Sequence, residues 1–142
     1  MGIGEIERGS IGGLRNIMAK ILIVDDEPQA TTLLEMLLSS RGYKTVAVNE
    51  SSEAIQVARE TDPDLIILDL MMPEPDGFKV CRMLRADSRF MLTPILIITA
   101  LDDTDSRIVA FGAGADDYLI KPYNVDELVS IIKTLLHEEI EN

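Results

Sequence analysis

The chain has few of the residues that form disulfides or bind nucleic acid, and it has no long apolar run. Its one cysteine, Cys81, excludes an internal disulfide, and we expect a small buried apolar side chain there rather than a catalytic thiol. The 13 Lys and Arg residues stand against 25 Asp and Glu residues, and the net charge of -12 opposes direct binding to nucleic acid or anionic lipid. Because no apolar run reaches about 18 residues, no membrane span is predicted, and the cytoplasm is the expected compartment.

The length of 142 residues and a hydrophobic content of 46% fit one domain with a single core. Residues 1–17 are rich in glycine and weakly patterned, so we expect a flexible N-terminal extension. The alternative, a short docking helix, is opposed by Gly9, Gly12 and Gly13, because glycine destabilises helix interiors. Residues 18–138 are expected to form the domain, and residues 139–142 a C-terminal tail.

Short apolar runs alternate with helical patterns along the chain, which is typical of an α/β fold. Pro28 suits the first turn of the first helix, Ser51 or Ser52 can cap the second, and Asn124 the last. Right-handed crossovers then predict a flavodoxin-like, doubly wound three-layer (βα)5 sandwich with the parallel strand order 2-1-3-4-5. The predicted strands are residues 21–24, 44–48, 65–68, 95–98 and 117–120.

Four of the predicted strands end at a reactive polar group. Asp25 and Asp26 follow the first strand, Asp69 the third, Thr99 the fourth and Lys121 the fifth. In open α/β sheets ligands bind at the carboxyl ends of the strands, where the strand order reverses. Taken singly, Thr99 is typical of a strand-end hydroxyl and Lys121 of a solvated charge. Together they indicate a site for a metal ion and a phosphoryl group.

Three carboxylates at one edge repel each other unless a cation lies between them. Mg²⁺ prefers oxygen ligands, and Asp26, Asp69 and a backbone carbonyl just beyond Asp69 can supply them. The alternative is that Asp25 and Asp26 only cap the following helix. Their position beside a third carboxylate favours the metal site.

Asp69 ends the central strand and is the best candidate nucleophile. A carboxylate that attacks phosphorus forms an acyl phosphate. The transferring group carries charge on three oxygens. Mg²⁺ can neutralise one oxygen, the Lys121 ammonium a second, and the Thr99 hydroxyl with a backbone N–H the third.

Four sequence blocks resemble the signature blocks of receiver domains of two-component response regulators. The resemblance covers about residues 18–138 and implies that Asp69 accepts phosphate from a sensor histidine kinase or a histidine phosphotransfer protein. It also implies an output protein or effector domain, and phosphorylation-dependent homodimerisation as a further outcome. The blocks are Val24–Glu27, Leu68–Pro73, Ile98–Ala100 and Tyr118–Pro122.

The resemblance also assigns roles in the metal site. Asp26 is the expected direct Mg²⁺ ligand, together with Asp69 and the Met71 carbonyl, and Asp25 is expected to act largely through water.

The resemblance further assigns the phosphoryl-binding and switch residues. Thr99 and Lys121 are expected to bind the phosphoryl group, with a cis bond between Lys121 and Pro122. Thr99 and Tyr118 are the expected switch residues. On phosphorylation, Thr99 would move toward the phosphoryl group and Tyr118 inward, which changes the surface of the fourth helix, fifth strand and fifth helix.

Two enzyme or carrier alternatives and one metal alternative fit the sequence less well. A haloacid dehalogenase phosphatase needs an acid two residues after its nucleophile, where this chain has Met71. A flavodoxin-like FMN carrier would suffer repulsion between the acidic residues 25–27 and the phosphate. The acidic run 102–105 lacks the glycine and glutamate of a calcium loop. Met71 and Leu101 stand at positions that the resemblance to receiver domains connects with dephosphorylation. Because neither apolar side chain can orient an attacking water by a strong hydrogen bond, a persistent phospho-Asp69 is predicted.

Overall fold

The computed structural model describes residues 19–138, so the extension predicted for residues 1–17 and the tail predicted for 139–142 lie outside the described residues. Within that part, five strands alternate with five α-helices. The strands are β1 (Lys20–Val24), β2 (Lys44–Val48), β3 (Leu65–Leu68), β4 (Ile95–Thr99) and β5 (Asp117–Ile120). The helices are α1 (Pro28–Ser39), α2 (Ala54–Thr61), α3 (Gly77–Ala86), α4 (Thr104–Gly112) and α5 (Val125–Leu135).

All five strands are parallel and lie in the order β2-β1-β3-β4-β5, which confirms the predicted flavodoxin-like architecture. The central strands β1, β3 and β4 consist mainly of Ile, Leu and Val, because both faces of a parallel sheet are covered by helices. One face packs against α2, α3 and α4, and the other packs against α1 and α5. The carboxyl ends of the strands therefore stay open at one edge of the sandwich.

The helix starts show where local sequence signals succeed and fail. The side chain of Asn124 accepts a hydrogen bond from the Glu127 N–H at 3.0 Å, which confirms the predicted cap of α5. The predicted serine cap of α2 is wrong. A 3-10 turn at Ser51–Glu53 precedes Ala54, and the Ser51 hydroxyl donates instead to the Pro73 carbonyl at 3.1 Å. The Ser51 hydroxyl therefore donates to a distant loop instead of accepting a hydrogen bond from an N–H of the first turn of α2.

Among the helices between residues 19 and 138, none combines the length and the apolar character needed to cross a membrane.

Candidate functional site

The site is built on the ends of four strands, β1, β3, β4 and β5, which the sheet holds side by side. The Asp25 N–H donates to the Val48 carbonyl at 3.1 Å, and the Asp69 N–H donates to the Val24 carbonyl at 3.0 Å. The Lys121 N–H donates to the Thr99 carbonyl at 2.9 Å. These bonds continue the parallel ladder by one residue, so the sheet itself fixes where each functional side chain leaves the backbone.

Lys121 connects the two acidic strand ends directly. Its ammonium lies 2.7 Å from Asp25 Oδ2 and 3.0 Å from Asp69 Oδ2. Both aspartates are buried, with 3% of Asp25 and 4% of Asp69 exposed. Because buried charges require partners, the ammonium stabilises a carboxylate pair that would otherwise repel.

The contacts between Lys121 and the two aspartates act on the pKa values of Asp25 and Lys121 for different reasons. Burial is the largest effect on Asp25 and raises the pKa of its carboxyl above the ordinary value, although the hydrogen bond from Lys121 opposes the change. Burial alone would lower the pKa of Lys121, but the hydrogen bonds to Asp25 and Asp69 outweigh it, and the pKa is raised. The ammonium therefore stays charged at neutral pH.

Backbone N–H groups orient the remaining oxygen of each carboxylate. The Glu27 N–H donates to Asp25 Oδ1 at 3.0 Å, and the Met71 N–H donates to Asp69 Oδ1 at 3.0 Å. Both bonds span two residues and are typical of Asx turns, in which an aspartate side chain caps the turn that follows it. Each carboxylate is therefore held at both oxygens before any ligand binds.

Three carboxylates in this region lie close enough to share a cation. Oxygen atoms of Asp25, Glu27 and Asp69 lie within 4.8 Å of one another. Such hard oxygen donors match the ligand preference of Mg²⁺, so these side chains fit the predicted ion. Sequence reasoning missed Glu27, because the Asx turn that brings its side chain back toward Asp25 is not visible as a spacing. Asp26 is half-buried and lies outside this group of three, and its role as a ligand stays a prediction.

The two expected switch residues meet at the backbone of Leu101. Thr99 is fully buried at the end of β4, and its hydroxyl accepts a long hydrogen bond of 3.5 Å from the Leu101 N–H. The Tyr118 hydroxyl donates to the Leu101 carbonyl at 2.6 Å. Leu101 therefore connects the residue expected to sense the phosphoryl group with the aromatic side chain expected to respond.

Tyr118 is turned inward, with only 5% of the residue exposed. The guanidinium of Arg107, on α4, lies 4.8 Å from the centroid of its ring, within the range of a cation–π interaction. Phe111 covers the ring further, at a centroid distance of 6.3 Å. Burial is the main cause of a raised pKa for the Tyr118 hydroxyl. The inward position that the resemblance connects with phosphorylation is thus the position observed.

The expected cis bond between Lys121 and Pro122 is also present.

Comparison with known proteins agrees with this geometry. The response regulator receiver domain family matches residues 21–133. The chain is 41% identical over 119 residues to RpaA of Synechocystis, a DNA-binding dual master transcriptional regulator; the match covers 84% of this chain and 49% of RpaA. The chain therefore spans about half the length of that relative.

Solved structures show the same fold at comparable identity. The chemotaxis protein CheY4 of Vibrio cholerae has a TM-score of 0.79 at 30% identity, over 83% of this chain and 98% of CheY4. The receiver domain of the sensor histidine kinase PA1611 of Pseudomonas aeruginosa has a TM-score of 0.78 at 32% identity, over 84% of this chain and 98% of that chain. That structure holds a magnesium ion in its active-site cleft. The family match over residues 21–133 and the 41% identity to RpaA, which agree with the acidic strand ends bridged by Lys121, show that the chain belongs to the receiver domains of response regulators.

Proposed function

We propose that Asp69 is the phosphoacceptor of this signalling domain and that Mg²⁺ is required for its phosphorylation. One observation supports this assignment above the others. The Lys121 ammonium lies 3.0 Å from the Asp69 carboxylate and 2.7 Å from Asp25, so a fixed positive charge is already present where a phosphoryl group would add negative charge.

The reaction is a transfer between a phosphohistidine and a carboxylate. An oxygen of Asp69 forms a bond to phosphorus as the bond from phosphorus to the donor's imidazole nitrogen breaks, and the nitrogen keeps the electron pair. The product is an acyl phosphate, which carries roughly -1.5 to -2 charges and three acceptor oxygens. Lys121 stabilises one of these oxygens, and the Thr99 hydroxyl binds another when the β4–α4 connection moves toward the site. Two-state switching then follows from the preference of the phosphoryl group for that arrangement.

The Mg²⁺ ligands are proposed on the chemistry of the residues at the acidic edge. Asp25, Asp26, Asp69 and the Met71 carbonyl remain the predicted set, and the proximity of Glu27 to Asp25 and Asp69 adds it as a candidate. When bound, the ion neutralises charge on the transferring phosphoryl group. Asp25, held by Lys121 and by the Glu27 N–H, keeps its carboxylate in position for the ion.

An apolar groove beside the site fits a protein donor. The groove has a volume of about 310 Å³ and lies between α1 and the β5–α5 connection, with Leu33, Leu37, Pro122 and Lys121 in its wall. A helix of a histidine kinase or of a histidine phosphotransfer protein seated there would bring its phosphohistidine next to Asp69, which Lys121 contacts. Replacing Leu33 by Glu should slow transfer from a phosphorylated histidine phosphotransfer protein and leave phosphorylation by phosphoramidate unchanged. Equal slowing with both donors would contradict docking in this groove.

We propose that the surface formed by α4, β5 and α5 changes on phosphorylation and contacts the output partner. Ile108, Val109 and Phe111 of α4 are exposed apolar residues, and the Phe111 ring lies 6.3 Å from the ring of the buried Tyr118. Such a surface suits an output protein or a second phosphorylated copy. Amide exchange of residues 99–138 should change on phosphorylation, and identical protection would refute this assignment.

The DNA binding named for RpaA belongs to a protein about twice as long. A net charge of -12 argues against DNA contact by this chain.

Intact mass after incubation with phosphoramidate tests the proposed chemistry. The wild-type chain should gain one phosphoryl group with Mg²⁺ present and none with excess chelator, and Asp69→Asn should gain none. Ser52→Ala, at an exposed position, is the matched control and should behave as wild type. Phosphorylation of Asp69→Asn at the wild-type rate would overturn the assignment of the acceptor.

A further inference from the structure

The connection between β2 and α2 contacts both of the loops that carry the acidic residues. Asn49 directly follows β2, and its side-chain amide donates to the Asp25 carbonyl at 2.8 Å and to the Thr31 hydroxyl at 3.1 Å. One side chain thus uses both of its N–H groups on the loop between β1 and α1 and on the helix that follows.

Thr31 fixes the position of the Asn49 amide. It is 2% exposed, and its hydroxyl donates to the Pro28 carbonyl at 3.1 Å while it accepts from Asn49. The acidic loop of residues 25–27 is therefore held from the side at Asp25 and at the start of α1.

Ser51 makes the corresponding contact to the second loop. Its hydroxyl donates to the Pro73 carbonyl at 3.1 Å, and the residue is 8% exposed. Pro73 lies four residues after Asp69, in the β3–α3 loop that also carries Met71.

The contacts of Asn49 and Ser51 lie just beyond the carboxyl ends of the strands. The last ladder bonds at this edge join Asp25 to Val48 and Asp69 to Val24, and the residues beyond them leave the strands. Two loops that must present oxygen ligands to one ion need a fixed separation, since Mg²⁺ tolerates little deviation from its preferred geometry.

We propose that Asn49 and Ser51 are positioning residues that brace the β1–α1 and β3–α3 loops against each other and so set the Mg²⁺ affinity of the site. The inference rests on the proposed Mg²⁺-dependent phosphorylation of Asp69. Neither side chain is among the proposed ligands of the ion or of the phosphoryl group; each acts through a backbone carbonyl of a loop that carries ligands. Outer contacts of this kind typically change metal affinity by about 10- to 100-fold when removed.

The test compares Asn49→Ala and Ser51→Ala with the control Ser52→Ala and the conservative variant Ser51→Thr, which keeps the hydroxyl. Calorimetric titration with MgCl2 gives the dissociation constant, urea unfolding gives stability, and intact mass with phosphoramidate gives the phosphorylation rate over a range of Mg²⁺ concentrations. We expect about tenfold weaker Mg²⁺ binding in the two alanine variants, near the low end of that range. Their phosphorylation rate should approach the wild-type rate at saturating Mg²⁺. Ser51→Thr should keep the wild-type affinity for Mg²⁺.

Two results separate this inference from the proposed function. Wild-type Mg²⁺ affinity in both folded alanine variants, with only a loss of stability, would overturn the bracing role even if the wild type is phosphorylated normally. A wild-type chain that binds Mg²⁺ but takes no phosphoryl group would refute the proposed function. The change in affinity between wild type and variants would still decide the bracing role.

Discussion

Replacing Gly77 by alanine should damage the site without touching any of its polar side chains. Gly77 is the first residue of α3, and its N–H donates to the Leu70 carbonyl at 3.1 Å, which folds the β3–α3 loop back onto the end of β3. An added Cβ would lie 2.5 Å from the Leu70 Cα and 2.8 Å from the Asp69 carbonyl carbon, and closer still to the Asp69 carbonyl oxygen. These neighbours are backbone atoms, which cannot rotate away.

The size of the effect follows from these distances. Ordinary contact for a Cβ begins at 3.4 Å, so the separation from the Leu70 Cα has to grow by about 0.9 Å. Overpacking of this kind typically lowers the free energy of unfolding by about 1 to 3 kcal/mol, and we expect the upper end because the obstacle is backbone. A displacement of about 1 Å in a reacting group can slow a reaction about 100-fold, and Asp69 itself is displaced here.

Two assays on Gly77→Ala test the predicted losses of stability and of phosphorylation rate. Urea unfolding measures the stability, and intact mass with phosphoramidate and saturating Mg²⁺ measures the phosphorylation rate of the folded fraction. Gly112→Ala is the matched control, because a Cβ at that exposed position at the end of α4 meets nothing within 4 Å. The control should be as stable as wild type or gain up to about 1 kcal/mol. A folded Gly77→Ala variant phosphorylated within twofold of the wild-type rate would refute the reasoning.

Three further predictions concern the lifetime of the phosphoryl group, the buried thiol and the half-buried Arg85. Met71→Asn and Leu101→Glu should each speed hydrolysis of phospho-Asp69, because both new side chains can orient water; an unchanged decay of the phosphorylated mass would contradict this. Burial raises the pKa of Cys81 to about 11, so at pH 8 the thiol stays protonated, and iodoacetamide should alkylate the folded chain at least about 100-fold more slowly than the urea-unfolded chain. Equal rates would contradict this. Arg85 donates to three backbone carbonyls and to a carboxylate, so Arg85→Ala should lower the free energy of unfolding by about 2 to 3 kcal/mol in urea. A loss under about 0.5 kcal/mol would show that these bonds contribute little.

The sheet was predictable because its signal is local and strong. The runs 21–24, 65–68 and 95–98 are apolar throughout, as two-sided burial requires, and crossover handedness leaves few strand orders. The position of polar groups at strand ends then predicted the meeting of Asp25, Asp69 and Lys121, which the sheet enforces through its register.

Other parts of the site depend on contacts that a sequence does not display. Whether the Ser51 hydroxyl caps α2 or binds the Pro73 carbonyl is decided by the position of a loop more than twenty residues away. Glu27 joins the carboxylate group only because an Asx turn at Asp25 redirects the chain. The metal role of Asp26, expected from its place at an acidic strand end and from the resemblance, stays a prediction.

The central claim is that the phosphoryl group resides on Asp69, and reductive mapping of the phosphorylated chain tests it most directly. Borohydride converts an aspartyl phosphate to homoserine, so after phosphorylation with phosphoramidate and Mg²⁺, proteolysis and mass spectrometry should find homoserine at position 69. Chelator in place of Mg²⁺ should abolish it. Homoserine at position 25 or 26, or a stable phosphoryl group on another residue with position 69 unmodified, would contradict the account.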